Sequence, residues 1–377
     1  MASQGSLLHF SAYFLRLGAT GFGGPIALAG FMQRDLVEER GWVSREDYLD
    51  GLALAQLAPG PLAAQLAMYL GYVRAGVPGA TIVAICFVLP SFLMVWALSY
   101  AYVAYGGLPW MQALFYGIGA GVIGIIVRST QKLIALTLRR DVLLWLIFAI
   151  MAVTTAWTGR EIVWLFVCAG VVSAAVAVRR NPNRVAGQTS LKGGFLMLGM
   201  AGPAMAPSLP EIFWLFAKAG AVVFGSGLAI VPFMYGELVQ TRAWLNDREF
   251  LDAVAIAMIT PGPVVITVAF VGYLVAGPSG MFAAALGVFL PVYLFVVLPA
   301  PYFRRHRDQP IIKGFVEGVS AAATGAIAGA AYVLATRAIV DWLTAAIALG
   351  TSMILARWRI SELWLIGAAA AAGLLIA

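Results

Sequence analysis

The chain has 377 residues, of which 62% are hydrophobic and 11% are charged, and its formal net charge is +7. Soluble domains carry roughly 25% charged residues, so this composition excludes an ordinary soluble protein and predicts an all-α, polytopic membrane protein. The basic residues cluster in short loops between apolar runs, as the positive-inside rule expects. The positive charge therefore indicates a lipid bilayer and no nucleic acid as partner.

Each half of the chain contains six apolar runs, and a membrane span needs about 20 residues. The runs of the first half lie at roughly 6–33, 50–73, 78–105, 109–127, 142–157 and 161–178. Those of the second half lie at roughly 212–235, 252–276, 279–300, 311–336, 338–356 and 360–377. Several runs are short, so one or two of them need not cross the bilayer fully.

The two halves repeat one motif order. Phe22-Gly23-Gly24 recurs as Phe224-Gly225-Ser226, and Pro59-Gly60-Pro61 recurs as Pro261-Gly262-Pro263, both at an offset of 202 residues (224 − 22). This self-similarity predicts two copies of one unit. We assign residues 1–185 to an N-terminal membrane repeat, 186–205 to a polar linker and 206–377 to a C-terminal repeat.

The distribution of basic residues predicts that the repeats are inverted. Loops 128–140, 179–192 and 304–313 each hold four Lys or Arg, which places all three in the cytoplasm. Loop 128–140 follows the fourth run of the first unit, whereas loop 304–313 follows the third run of the second unit. Because both loops are placed in the cytoplasm, loops at equivalent places in the two units lie on opposite sides of the membrane. Inversion requires an odd number of crossings, which a re-entrant hairpin at each Pro-Gly-Pro run would give. We expect about 10 full spans plus two such hairpins, with both termini outside.

The Pro-Gly-Pro segments interrupt apolar runs that would otherwise be continuous helices. Broken membrane helices persist where they are enclosed by protein or line a cavity, and matched breaks in two halves are typical of a transporter binding site. Pro25, Pro61 and Pro263 suit the first turn of a new half-helix. The free N–H groups and positive dipole end of such a helix attract an anion.

Arg16 and Lys218 are repeat mates inside apolar runs. A buried basic side chain there costs at least ~2.5–3.5 kcal/mol, so we expect each to face a cavity or a partner. Cations at equivalent positions of both halves favour an anionic substrate. The alternative is that each side chain reaches an interface or pairs with an acid.

Uncharged and acidic side chains complete the candidate site. Gln56, Gln65, Thr260 and Thr267 offer polar contacts, or they only cap the broken backbone. Asp50 and Asp252 are candidates for proton coupling, or they are helix N-caps. No residue cluster indicates a metal or another cofactor. The predicted substrate-binding set is Arg16, Phe22, Gly23, Gly24, Pro25, Gln56, Pro59, Gly60, Pro61, Gln65, Lys218, Phe224, Gly225, Ser226, Gly227, Thr260, Pro261, Gly262, Pro263 and Thr267.

These motifs, with the charged segment 34–42, resemble the chromate ion transporter (CHR) family in its long, two-domain form, over nearly the whole chain. The resemblance implies efflux of chromate across a bacterial inner membrane, driven by the proton gradient, with sulfate as a similar ligand. Two positions depart from the family pattern: Ala63-Ala64 replaces common hydroxyl residues, and Ser226 replaces a glycine.

The sequence thus favours a multi-pass secondary transporter of a tetrahedral divalent oxyanion, with chromate first and sulfate as the alternative. A membrane enzyme acting on lipid phosphates would need a metal-binding acid cluster or a nucleophile set, and the sequence offers neither. An ungated channel stays open as a third interpretation. The oligomeric state is not fixed by the sequence, which leaves a homodimer open.

Overall fold

The computed structural model describes residues 6–22, 24–105, 108–138, 141–158, 163–180, 207–222, 224–225, 230–302, 310–358, 360 and 362–376. The predicted linker, 186–205, lies outside these residues. So do Gly23, Ser226 and Gly227 of the predicted site.

The regular secondary structure of the described chain is helical apart from one two-residue strand in each half. The first half comprises α1 (Leu7–Thr20), α2 (Gly24–Met32), a π-helical segment (Gln33–Glu39), α3 (Arg45–Leu57), β1 (Gly60–Pro61), α4 (Leu62–Tyr105), α5 (Pro109–Thr137), α6 (Val142–Thr158) and α7 (Val163–Arg180). The second half comprises α8 (Leu209–Val222), β2 (Phe224–Gly225), α9 (Ile230–Tyr235), a π-helical segment (Gly236–Thr241), α10 (Asp247–Ile259), a 3₁₀ turn (Val264–Ile266), α11 (Thr267–Val297), α12 (Pro310–Ala338), α13 (Trp342–Arg357) and α14 (Glu362–Ile376).

Four helical stretches of the described chain are long and apolar enough to cross a membrane: Leu62–Tyr105, Pro109–Ala135, Val264–Tyr302 and Ile311–Ala338. Shorter apolar helices occupy Val142–Thr158, Trp342–Arg357 and Trp364–Leu375. The prediction of a helical, polytopic membrane protein is therefore confirmed. The number of full spans stays a prediction.

The long helix α4 bends sharply at Ala75 and Gly76, and α11 bends at the matching Ala276 and Gly277. The two glycines have φ of 61° and 64°, in the left-handed region that favours glycine. A Cβ placed on Gly71 would lie 2.6 Å from the carbonyl oxygen of Gly79, so the two arms of α4 pack directly on each other. This 44-residue helix is two arms rather than one straight rod.

The chain also reverses at the first Pro-Gly-Pro segment. A Cβ on Gly51, in α3, would lie 2.4 Å from the ring of Tyr69 and 3.0 Å from Leu66, both in the first arm of α4. Residues on either side of the break therefore touch, which is the geometry of a helical hairpin with its tip at Pro59–Pro61. The orientation of this hairpin relative to a bilayer stays a prediction.

Helices of the two halves are interleaved. The fifth helix of the first half, α5, packs against α13 and α14, and its counterpart α12 packs against α6 and α7. The kinked helices α4 and α11 pack against each other, and one apolar core contains residues of both halves. The breaks of one half are consequently held against the other half.

Candidate functional site

New helices begin directly after the second proline of each Pro-Gly-Pro segment. Helix α4 starts at Leu62, immediately after Pro61. Pro263 precedes the 3₁₀ turn that leads into α11. Proline suits this position because its missing N–H would have no partner inside the helix. The glycines between the prolines, Gly60 and Gly262, have φ of 137° and 93°, a backbone that side-chain-bearing residues rarely adopt.

Each Pro-Gly-Pro tip contacts the glycine-rich break of the opposite half. Strand β1 pairs in parallel with β2, with Gly60 opposite Phe224 and Pro61 opposite Gly225. In the other direction, the N–H of Gly262 donates to the carbonyl oxygen of Gly21 at 2.9 Å, next to Phe22. The predicted breaks thus meet at a crossing between the two halves, which we call the crossing and define by Gly21–Phe22, Pro59–Pro61, Phe224–Gly225 and Pro261–Pro263.

Ser91 of α4 joins the second Pro-Gly-Pro tip to α1, and nothing in the sequence predicted this role. This buried serine of α4 donates its hydroxyl to the carbonyl oxygen of Pro261 at 2.7 Å and lies 3.3 Å from that of Gly18. A Cβ on Gly262 would lie only 2.1 Å from Ser91 Oγ. Its sequence signal was weak, because it is a single serine after Pro90 in an apolar run and its repeat mate is Val292.

The predicted uncharged polar residues mostly cap the broken backbone. Gln65 Nε2 donates to the carbonyl oxygen of Pro59 at 2.6 Å, and Thr267 Oγ1 donates to that of Val264 at 2.6 Å. Thr260 bonds back to its own helix, with 3.1 Å to the carbonyl oxygen of Ile256. Gln56 is exposed. Capping is therefore the role these contacts display, and direct substrate binding by these residues stays a prediction.

Arg16 and Lys218 lie on exposed faces of α1 and α8, so whether they face a cavity stays a prediction. The opposite face of α1 carries the bulky residues Phe10, Phe14 and Leu17, which fill the core and turn Arg16 outward. Arg16 lies five residues before Gly21, or about 7.5 Å by helical rise. It thus lies beside the crossing rather than inside it, and its contact with substrate stays a prediction.

Asp50 and Asp252 are both buried, with exposed fractions of 0% and 5%. Neither is a helix N-cap, so that alternative is wrong. Ser44 caps α3 and Asn246 caps α10, since their side chains accept the N–H groups of the first turns. Asp252 instead accepts a hydrogen bond of 2.7 Å from the hydroxyl of Tyr102, which belongs to α4 of the other half.

Long apolar helices that break at matched positions, with the breaks of each half held against the other, define a membrane transport protein. The family model described as "Chromate transporter" matches residues 8–174 and again residues 210–374. The chain belongs to the chromate transporter family. This membership implies an oxyanion as substrate and gives no indication of an enzyme.

The chain is 55% identical to the "Chromate transport protein" of Cupriavidus metallidurans, over 96% of this chain and 91% of the relative. It is 52% identical to the "Probable chromate transport protein" of Synechococcus elongatus, over 95% and 91%. The "Chromate transport protein" of Pseudomonas aeruginosa is 32% identical, over 84% and 78%. The search of solved structures found no significant match.

Proposed function

We propose that this protein is a secondary active transporter that exports chromate across the bacterial inner membrane in exchange for protons. The observation that carries the proposal is the crossing, where each Pro-Gly-Pro tip is bonded to a break of the opposite half. Helix starts at Leu62 and Val264 direct N–H groups and positive dipole ends into this region. The printed names of the relatives support chromate as the oxyanion.

The two halves are proposed to be inverted repeats that rock against each other around the crossing. Two ion pairs support this topology. Arg180, the last residue of α7, donates a hydrogen bond to Asp141, just before α6, as expected if both lie in the cytoplasm. This hydrogen bond holds the pKa of the Asp141 carboxyl below its usual value. Arg337, in the last turn of α12, lies 3.6 Å from Asp247, the first residue of α10, as expected if both lie outside.

Cysteine labelling tests the inversion. In a background with Cys86 and Cys168 replaced, we expect Gln240→Cys to react with a membrane-impermeant maleimide in intact spheroplasts. Glu39→Cys, at the equivalent loop of the first half, should react only after permeabilisation. Both positions are exposed, so labelling reports the side of the membrane and not burial.

The control for this labelling is the cysteine-free background, which should give no signal on either side. Labelling of Glu39→Cys and Gln240→Cys from the same side would contradict inverted repeats.

Proton coupling is proposed to use a buried acid, and we propose Asp252 for this role. A buried carboxylate is costly when ionised, so gain and loss of a proton would be linked to changes in its surroundings. The hydrogen bond from Tyr102 joins Asp252 to the opposite half, so movement between halves would change those surroundings. Arg16 and Lys218 are proposed to raise the local anion concentration beside the crossing.

Flux in everted vesicles tests the function. Radiolabelled chromate is expected to accumulate in vesicles that contain the protein and are energised to be acidic inside, because export becomes uptake in everted membranes. A protonophore should abolish the accumulation. Excess unlabelled sulfate measures how far sulfate competes.

Vesicles without the protein give the background for this assay. Flux that only dissipates a chromate gradient and ignores the protonophore would indicate a channel and contradict coupled transport. Accumulation of sulfate without chromate would favour the alternative substrate.

A further inference from the structure

Gln65 leaves one buried acceptor unsatisfied at the crossing. Its side chain is 0% exposed, and its Nε2 donates to the carbonyl oxygen of Pro59. A carbonyl oxygen only accepts, so the amide nitrogen must face Pro59 and the orientation of the amide is fixed. The remaining atom, Oε1, has no hydrogen-bond partner among the described residues. A buried acceptor of this kind calls for a donor from outside the chain.

The buried charged side chains do not favour the binding of a dianion at the crossing. The only charged side chains that are buried in the described part of the chain are Asp50 and Asp252, and both are acids. Arg16 and Lys218 are exposed. The free energy of removing an ion from water rises with the square of its charge, so a monoanion incurs about a quarter of the penalty of a dianion of the same size.

A protonated oxyanion matches this set of groups. The first N–H groups of α4, which starts at Leu62, have no partner within the helix, and they suit the unprotonated oxygens of a tetrahedral anion. A fully deprotonated anion has no donor for Gln65 Oε1, whereas a singly protonated one has one O–H group.

We propose that the bound species is the monoanionic, protonated oxyanion, hydrogen chromate, whose O–H group donates to Gln65 Oε1. This inference rests on the proposed function and specifies which form of the substrate the site takes. Binding breaks no covalent bond, and the proton stays on the anion while it is bound.

A test of this proposal must distinguish the titration of acidic side chains of the protein from the titration of the substrate itself. The buried acids on elements that pack against α4 are Asp50 on α3 and Asp252 on α10. Helix α1 adds the exposed His9 and Arg16, and α3 and α10 have charged first turns. Helices α2 and α11 contain no Asp, Glu, His, Lys or Arg. Sulfate serves as the comparison, because it stays a dianion over the pH range in which hydrogen chromate ionises.

Equilibrium binding of radiolabelled chromate to the purified full chain, over a series of pH values, tests the proposal. Above the pKa of hydrogen chromate, the Kd expressed as total chromate is expected to rise about tenfold per pH unit, as the protonated form is depleted. Sulfate should bind weakly, with no such dependence. Gln65→Leu should weaken binding about tenfold at low pH and flatten the slope. The control is Gln240→Leu, the same change at an exposed glutamine outside the crossing, which should keep the slope.

Three results would overturn the proposal. A Kd for chromate that does not change with pH would contradict it while leaving chromate transport intact. An equal slope for sulfate would assign the proton to a protein acid such as Asp252. Absence of chromate binding at every pH would contradict the proposed function itself. The wild-type measurements decide between these results even if Gln65→Leu does not fold.

Discussion

Gly262→Ala is expected to abolish chromate transport, with at least a tenfold loss of flux. A Cβ at this position would lie 2.1 Å from Ser91 Oγ and 3.3 Å from the carbonyl oxygen of Gly18. The φ of 93° adds backbone strain of about 1–3 kcal/mol for any residue other than glycine. The substitution would push the tip of the second half away from α1 and α4, and flux in everted vesicles measures the result.

Two further variants separate this effect from general instability. Gly30→Ala, in α2, introduces the same methyl group where nothing lies within 4 Å and should keep wild-type flux. The double variant Gly262→Ala with Ser91→Gly removes the nearest clash and should recover part of the flux, while the backbone strain remains. Wild-type flux in Gly262→Ala would show that the close contact at the crossing is not needed for transport.

The sequence was sufficient to predict where the helices break and restart. Proline and glycine act locally, so Pro61 and Pro263 specify a helix start whatever surrounds them. A nearly equal offset of 201 residues (277 − 76) relates the kinks at Gly76 and Gly277, because repeated sequences repeat their local backbone. These elements follow from short-range chemistry.

The partners of the breaks could not be predicted in the same way. The bond between Gly262 and Gly21 joins residues 241 positions apart (262 − 21), and nothing in either segment specifies the other. Ser91 escaped notice because its function depends on the carbonyl oxygens that it meets and not on its neighbours in sequence. The face of α1 on which Arg16 lies could not be predicted either, because depth along a helix says nothing about which face the helix presents to the core.

Asp252→Asn is expected to abolish chromate accumulation driven by a pH gradient while chromate exchange at equal pH continues. Asparagine is nearly the same size as aspartate and still accepts a hydrogen bond from Tyr102, but it binds and releases no proton in this pH range. The site would then translocate substrate without coupling. Accumulation with an imposed pH gradient and counterflow without one, measured in the same vesicles, give the two quantities.

Three companion variants decide whether the effect belongs to Asp252. Tyr102→Phe removes a hydrogen bond to a carboxyl group, worth about 1.5–3 kcal/mol, but keeps the acid, so accumulation should slow and remain coupled. Glu46→Gln neutralises an exposed acid of α3 and should change neither quantity. If Asp50→Asn abolishes accumulation and Asp252→Asn does not, the coupling acid lies in the first half. In that case the bond between Tyr102 and Asp252 only fastens α4 to α10.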